Sequence, residues 1–161
     1  MKTLLVPVDF SPVTSQVLVI ATDLAKALGG KVVLLHVCEP DVMLVDYALV
    51  NFSLARVNEA SVKAAAARLA GLQHEVAAGG VGVTVVQAVG SPVEEITTQA
   101  TALLADYIVI GSHGHGALHD LVAGSTTHGV LRRANCPLVI VPALRSPKAR
   151  DRDATQEVAN Q

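Results

Sequence analysis

Tryptophan is absent from this chain of 161 residues, and aromatic residues make up only 2% of it. The core therefore cannot rest on large rings. It has to be built from Val, Leu, Ile and Ala, a mix that suits strands buried on both faces beneath Ala-rich helices. Long apolar runs are also missing, and none approaches the ~18 residues of a membrane-spanning helix. The first apolar stretch, in MKTLLVPVDFSP, stops at Asp9 and is too short for a signal peptide. Charge of one sign is missing as well. A formal net charge of −2 argues against the basic surface of a nucleic-acid binder. The two cysteines, Cys38 and Cys136, form no CxxC pair and no zinc spacing. These features lead us to expect a cytoplasmic protein with reduced thiols, with neither membrane nor nucleic acid as a partner.

What is present alternates in period. TLLVPV (Thr3–Val8) reads as a buried strand. Ser11-Pro12 offers an N-cap and a proline at the first helical position, and Val13, Val17, Ile20, Leu24 and Leu28 follow at helical spacing up to Gly29-Gly30. KVVLLHV (Lys31–Val37) is the second strand, and residues 38–52 read as irregular. A long second helix is marked by Leu54, Val57, Ala65, Leu69, Leu72 and Val76, and GVTVVQAV (Gly82–Val89) is the third strand. Ser91-Pro92-Val93-Glu94 is a capping box that starts a third helix through Ile96, Ala100 and Leu103. DYIVI (Asp106–Ile110) is a fourth strand, Ser125–Arg133 a last helix, and CPLVIVP (Cys136–Pro142) a fifth strand. Strands alternating with helices predict one α/β domain, an open parallel sheet with helices on both faces. Residues 143–161 are set apart. From 145 on they hold seven charges of both signs and a single valine, the composition of a solvated, disordered tail.

Such a sheet takes ligands outside the carboxyl ends of its strands. The segment after the fourth strand, GSHGHGALHDLVAGSTTHGV, carries Gly111, Gly114 and Gly124 in the spacing G-x2-G-x9-G, with Ser125 next. Glycine lets backbone N–H groups approach a phosphate without a Cβ in the way. Gly124-Ser125-Thr126-Thr127 opens a helix, whose free N–H groups and positive dipole end attract anions, and three hydroxyls add donors. This is a phosphate cradle. It lacks the Gly-Lys-Ser/Thr of a P-loop, and Gly111, Gly114 and Gly116 do not give the dinucleotide fingerprint. Turn glycines followed by a Ser N-cap are the plainer reading of the same residues.

These motifs resemble the universal stress proteins, whose nucleotide-binding branch carries G-x2-G-x9-G-(S/T) after its fourth strand. VPVDFS, LLHV and RRANCPLVIV match the same family in order, over about residues 1–142. The resemblance implies a Rossmann-like fold of the adenine nucleotide alpha hydrolase type, with strand order 3-2-1-4-5. It implies ATP or another adenine nucleotide as ligand. Pro7, Val8 and Asp9 would then line the nucleoside, and Val37 would meet adenine through its backbone. Ile110 and Gly111 would floor the pocket, Gly114 would contact ribose and phosphate, and Gly124, Ser125, Thr126 and Thr127 would hold the phosphates. Asp9 could accept from ribose or an adenine amine, or simply cap its own loop.

No catalytic set accompanies the cradle. Phosphoryl transfer wants a fixed Lys or Arg clamp and a carboxylate for the metal, yet no lysine occurs from Ala64 to Pro147. The phosphates are therefore expected to carry Mg²⁺ or Mn²⁺. His113, His115, His119 and His128 lack a nearby cysteine, so no dedicated protein metal site is expected. His36 reads as a satisfied core histidine, and Arg56, Lys63 and Arg68 as a solvated helix face. The sequence favours a nucleotide-sensing stress-response protein with slow or no hydrolysis, acting through a regulatory protein partner. Its rivals are a slow ATPase or autokinase using Ser125, Thr126 or Thr127, and an interaction module with an empty pocket. In the family's order the fifth strand is an edge. Leu138, Val139, Ile140 and Val141 carry no charge to blunt it, and antiparallel pairing of two copies predicts a homodimer.

Overall fold

The computed structural model describes residues 1–39, 50–112 and 123–143, with the backbone alone over 50–59. Five strands form one parallel sheet: β1 (Thr3–Pro7), β2 (Lys31–Cys38), β3 (Gly82–Val89), β4 (Tyr107–Gly111) and β5 (Leu138–Val141). Their order is β3-β2-β1-β4-β5, as the resemblance implied, and every pairing is parallel. Four helices connect them: α1 (Thr14–Ala27), α2 (Val50–Ala78), α3 (Pro92–Ala102) and α4 (Ser125–Arg133).

The period-2 alternation of each strand divides the core into two layers. Leu4 and Val6 of β1, Val32 and Leu34 of β2, and Val109 of β4 pack with Val17, Leu18 and Ala21 of α1 and with Leu69 and Val76 of α2. Leu5, Val33, Leu35, Ile108 and Ile110 face the other way, onto Ile96 and Ala100 of α3 and Val130 of α4. β1 is covered on both sides, which is why its sequence reads as a continuous apolar run. Leu4, Leu5, Leu34 and Leu35 are wholly inaccessible to solvent, each worth about 1.5–3 kcal/mol over an exposed position. Close approach of the chain at Gly30 needs a glycine, because a Cβ there would lie 2.7 Å from the carbonyl oxygen of Lys2.

Several helix starts differ from the sequence reading. α1 begins at Thr14 with Val13 as N-cap, two residues later than Ser11-Pro12 suggested. The carbonyl of Ser11 is taken by the N–H of Thr14 at 2.9 Å in a tight turn, and the helical pattern starts with Val17 N–H to Val13 carbonyl. The Ser11 hydroxyl is buried and bonds to nothing, so it caps no helix. Ser91 does stand at the N-cap of α3 with Pro92 after it, but no side-chain cap bond forms. The capping box is present in sequence and unmade in structure. Its serine contributes only its carbonyl, to the N–H of Glu95. α2 starts at Val50, ahead of Leu54. β5 is shorter than Cys136–Pro142 because the prolines at 137 and 142 have no N–H to donate to a ladder. The charged tail from residue 144 onward lies outside the described residues.

Candidate functional site

The chain leaves β1 toward β2 on one side, and later returns past β1 from β3 to reach β4 on the other. The reversal lies between β1 and β4. The crevice outside their carboxyl ends is where open α/β sheets bind ligands. The predicted residues gather there by chain position. Pro7, Val8 and Asp9 leave the end of β1, and Ile110 and Gly111 close β4. Val37 lies one residue from the end of β2, paired with Ala88 of β3. Gly124, Ser125, Thr126 and Thr127 open α4. Gly114 lies outside the described residues, as do His113, His115, His119 and Asp120.

On the β1 side the backbone is pinned beyond the end of the strand. Val8 donates its N–H to the Leu35 carbonyl at 2.8 Å, and its own carbonyl accepts from Nδ1 of His36 at 2.8 Å. His36 is thus satisfied, as the sequence suggested, and Nδ1 carries the proton because a carbonyl can only accept. Asp9 is exposed. One of its carboxylate oxygens accepts the N–H of Ser11 at 3.0 Å, so the loop-capping role is real.

On the β4 side two hydrogen bonds fasten α4 to the sheet. The Thr127 hydroxyl donates to the Gly111 carbonyl at 2.7 Å, and Thr127 is 3% exposed. The N–H of Gly124 donates to the Ser112 carbonyl at 2.6 Å. These bonds correct part of the cradle reading. Thr127 does not present its hydroxyl to a phosphate, because that group is committed to β4. Its backbone N–H is what it can offer. Ser125 is exposed and Thr126 half-buried. The helical pattern starts with His128 N–H to Gly124 carbonyl, so the amides of Ser125, Thr126 and Thr127 have no intrahelical acceptor. No acidic residue stands in this first turn, so nothing there repels an anion. Gly124 has φ −66° and ψ 163°, a conformation open to any residue. Backbone freedom is therefore not the reason for a glycine at this position.

Sequence reading missed two contributors. Ser112 donates its N–H to the Val141 carbonyl at 2.7 Å, and its Oγ accepts the Ala143 N–H at 3.2 Å, so one residue ties β4, β5 and the start of α4 together. Arg68, read as solvated, lies with its guanidinium carbon 4.1 Å from the Phe10 ring centroid. A phenylalanine placed in a polar turn was the one sequence signal for that contact. Among the described residues no cluster of three or more His, Cys, Asp or Glu could hold a metal ion. Nor is any helix among them long and apolar enough to cross a membrane.

Comparison with known proteins agrees with this architecture. A universal stress protein of Thermus aquaticus is 31% identical over 142 residues, covering 87% of this chain and 98% of that protein. Universal stress protein Rv2005c of Mycobacterium tuberculosis is 30% identical over 136 residues, 84% of this chain, which spans only 44% of that longer protein. Among solved structures, protein MJ0577 of Methanocaldococcus jannaschii superposes with a TM-score of 0.80 at 27% identity, covering 90% of this chain and 98% of that one. Two structures share the fold at lower identity. One is the Archaeoglobus fulgidus universal stress protein in complex with dAMP, with TM-score 0.63, 21% identity, and 88% and 98% coverage. The other is a universal stress protein in complex with cAMP, with TM-score 0.60, 20% identity, and 87% and 95% coverage. The model of the universal stress protein family matches residues 1–142. The chain belongs to the universal stress protein family.

Proposed function

We propose that this chain binds an adenine nucleotide, ATP foremost, at the crevice between the ends of β1 and β4. Binding would serve as a signal, with slow or no hydrolysis. The observation that carries the reading is the fastening of α4 to β4. The Thr127–Gly111 and Gly124–Ser112 bonds hold three helix amides that have no intrahelical acceptor near the ends of β1 and β4. Free N–H groups and the positive dipole end of a helix suit a phosphate. Asp9 and Val37, from the ends of β1 and β2, would receive the nucleoside. Two relatives of the same fold were solved with dAMP and cAMP, which supports adenine as the base.

The donor set fits a nucleotide carrying its own divalent cation. The first turn of α4 offers amides and hydroxyls but no charge, and Arg132 and Arg133 sit in its last turn. Bound Mg²⁺ or Mn²⁺ would neutralise the phosphates. The chain's own groups would orient them through N–H donors. We further infer a cytoplasmic homodimer joined through β5, whose signal passes to a regulatory protein partner.

Calorimetric titration with ATP, ADP, AMP and cAMP, with and without Mg²⁺, tests the reading. ATP binding with Mg²⁺ is expected to be the tightest. No heat and no competition from any of the four would overturn it.

A further inference from the structure

The turn that would carry Asp9 is held from both ends. On one side Val8 is bonded twice to β2, through the Leu35 carbonyl and the His36 ring. On the other side Phe10 adopts φ 62°, a left-handed conformation that a bulky residue rarely takes without support. Three contacts support it. The Arg68 guanidinium lies over the ring at 4.1 Å. Arg68 Nη2 also reaches the Phe10 carbonyl at 3.4 Å, and the His36 ring packs at 4.5 Å between centroids, tilted by 40°. The hydrogen bond is long, so the stacked cation carries more of the contact. A guanidinium does this better than an ammonium because it is planar and weakly hydrated. Arg68 comes from the exposed side of α2. On its other side α2 packs into the core through Leu69, Leu72 and Val76.

We propose that Arg68 is a positioning residue for the nucleoside half of the ligand. By holding Phe10 in its left-handed turn it fixes the direction of the Asp9 carboxylate, without touching the nucleotide itself. The inference rests on the nucleotide reading above. A carboxylate on a loose turn reorients at an entropic cost each time it binds, whereas one on a braced turn does not. The phosphate half is fastened separately, by Thr127 and Gly124 to β4, and should not sense Arg68.

The test is calorimetry of the wild type, Arg68→Ala, Arg68→Lys, Asp9→Ala and the Arg68→Ala/Asp9→Ala double variant, each with ATP and with inorganic tripolyphosphate in Mg²⁺. Arg68 is exposed, and alanine is a good helix former, so the fold should persist. Thermal melts check this. Arg68→Ala should weaken ATP about two- to fivefold and leave tripolyphosphate unchanged, with Arg68→Lys in between. In the Asp9→Ala background Arg68→Ala should cost nothing further, because its effect runs through that carboxylate. This double variant decides the matter even where tripolyphosphate binds too weakly to titrate. Equal weakening of both ligands, an additive loss in the Asp9→Ala background, or unchanged ATP affinity in Arg68→Ala would each overturn the proposal. A wild type that binds no nucleotide would instead overturn the reading beneath it.

Discussion

Replacing Thr127 with valine keeps the side chain's volume and removes one O–H. The Gly111 carbonyl then loses its 2.7 Å partner in a partly buried setting, which should cost about 1–3 kcal/mol of stability. The same change should weaken nucleotide binding, because the start of α4 is no longer fastened to β4. A melt within experimental error of the wild type would show that the bond carries no weight. Ser125 differs in kind. It is exposed and committed to no protein group in the hydrogen bonds described. Ser125→Ala should leave the melt unchanged and lower ATP affinity by about ten- to a hundredfold, the worth of a hydrogen bond to a charged group of 1.5–3 kcal/mol. Gly124→Val separates space from conformation. Its backbone angles suit valine, so the protein should fold, while a branched Cβ should fill the space proposed for phosphate. Wild-type affinity in a cooperatively melting Gly124→Val protein would remove the cradle from consideration.

Helix packing sets a different kind of constraint at Gly129, in the middle of α4. A Cβ there would lie 2.7 Å from Cγ2 of Val93 on α3. Alanine would gain about 1 kcal/mol of helix propensity and lose about 1–3 kcal/mol to overpacking. The packing term wins, and Gly129→Ala should lower the melting temperature by a few degrees, about 2–4 °C per kcal/mol at this size. A rise would mean that α3 and α4 can part at no cost. At the amino edge of the sheet, Lys2 Nζ lies 2.7 Å from Asp106 Oδ1, and the Thr3 N–H donates to Oδ2 of the same carboxylate at 2.8 Å. Both contacts hold the Asp106 carboxyl below the usual carboxylate range, the Lys2 hydrogen bond foremost. The contact with Asp106 raises Lys2 in turn. A depressed carboxyl stabilises the fold above its unfolded value, and that contribution is lost as pH falls through the folded value. The gap between wild type and Asp106→Asn in melting temperature should therefore be open at neutral pH and close in acid. A gap independent of pH would assign the effect to packing.

For the whole molecule, β5 forms one edge of the described sheet. Leu138 and Val139 pack against the chain's own core and Val141 is buried. Ile140 is the residue of the strand left exposed, at 39%. Among the described strands β5 pairs with β4 alone, and an edge strand's outer N–H and C=O groups suit a second copy. Ile140→Lys should give a monomer that keeps its nucleotide affinity, since the proposed pocket lies within one chain. Light scattering of the wild type reads the assembly directly, and a monomer at high micromolar concentration would exclude the dimer. Chelation tests the cation. EDTA should weaken ATP binding well beyond about twofold, because the first turn of α4 supplies dipoles and not charge.

The order of strands and helices was legible in the sequence because each element carries its own period. Alternating burial of Leu4, Leu5 and Val6 on opposite faces needs only a run of apolar residues between turns, and Gly124-Ser125 announces α4 by local chemistry alone. The strand order came from resemblance to a family and not from periodicity, since no local pattern says which strands are neighbours. What residues 11, 91 and 127 do was decided only by tertiary structure. A serine before a proline looks the same whether its hydroxyl caps a helix or lies buried without a bond, and the Ser11–Thr14 turn decided it at Ser11. A threonine at a helix start looks the same whether it faces a ligand or a neighbouring strand, and the Gly111 carbonyl decided it at Thr127. Arg68 was the plainest case. Its partner Phe10 is 58 positions away, and a contact at that separation exists only once β1 and α2 share a face of the sheet.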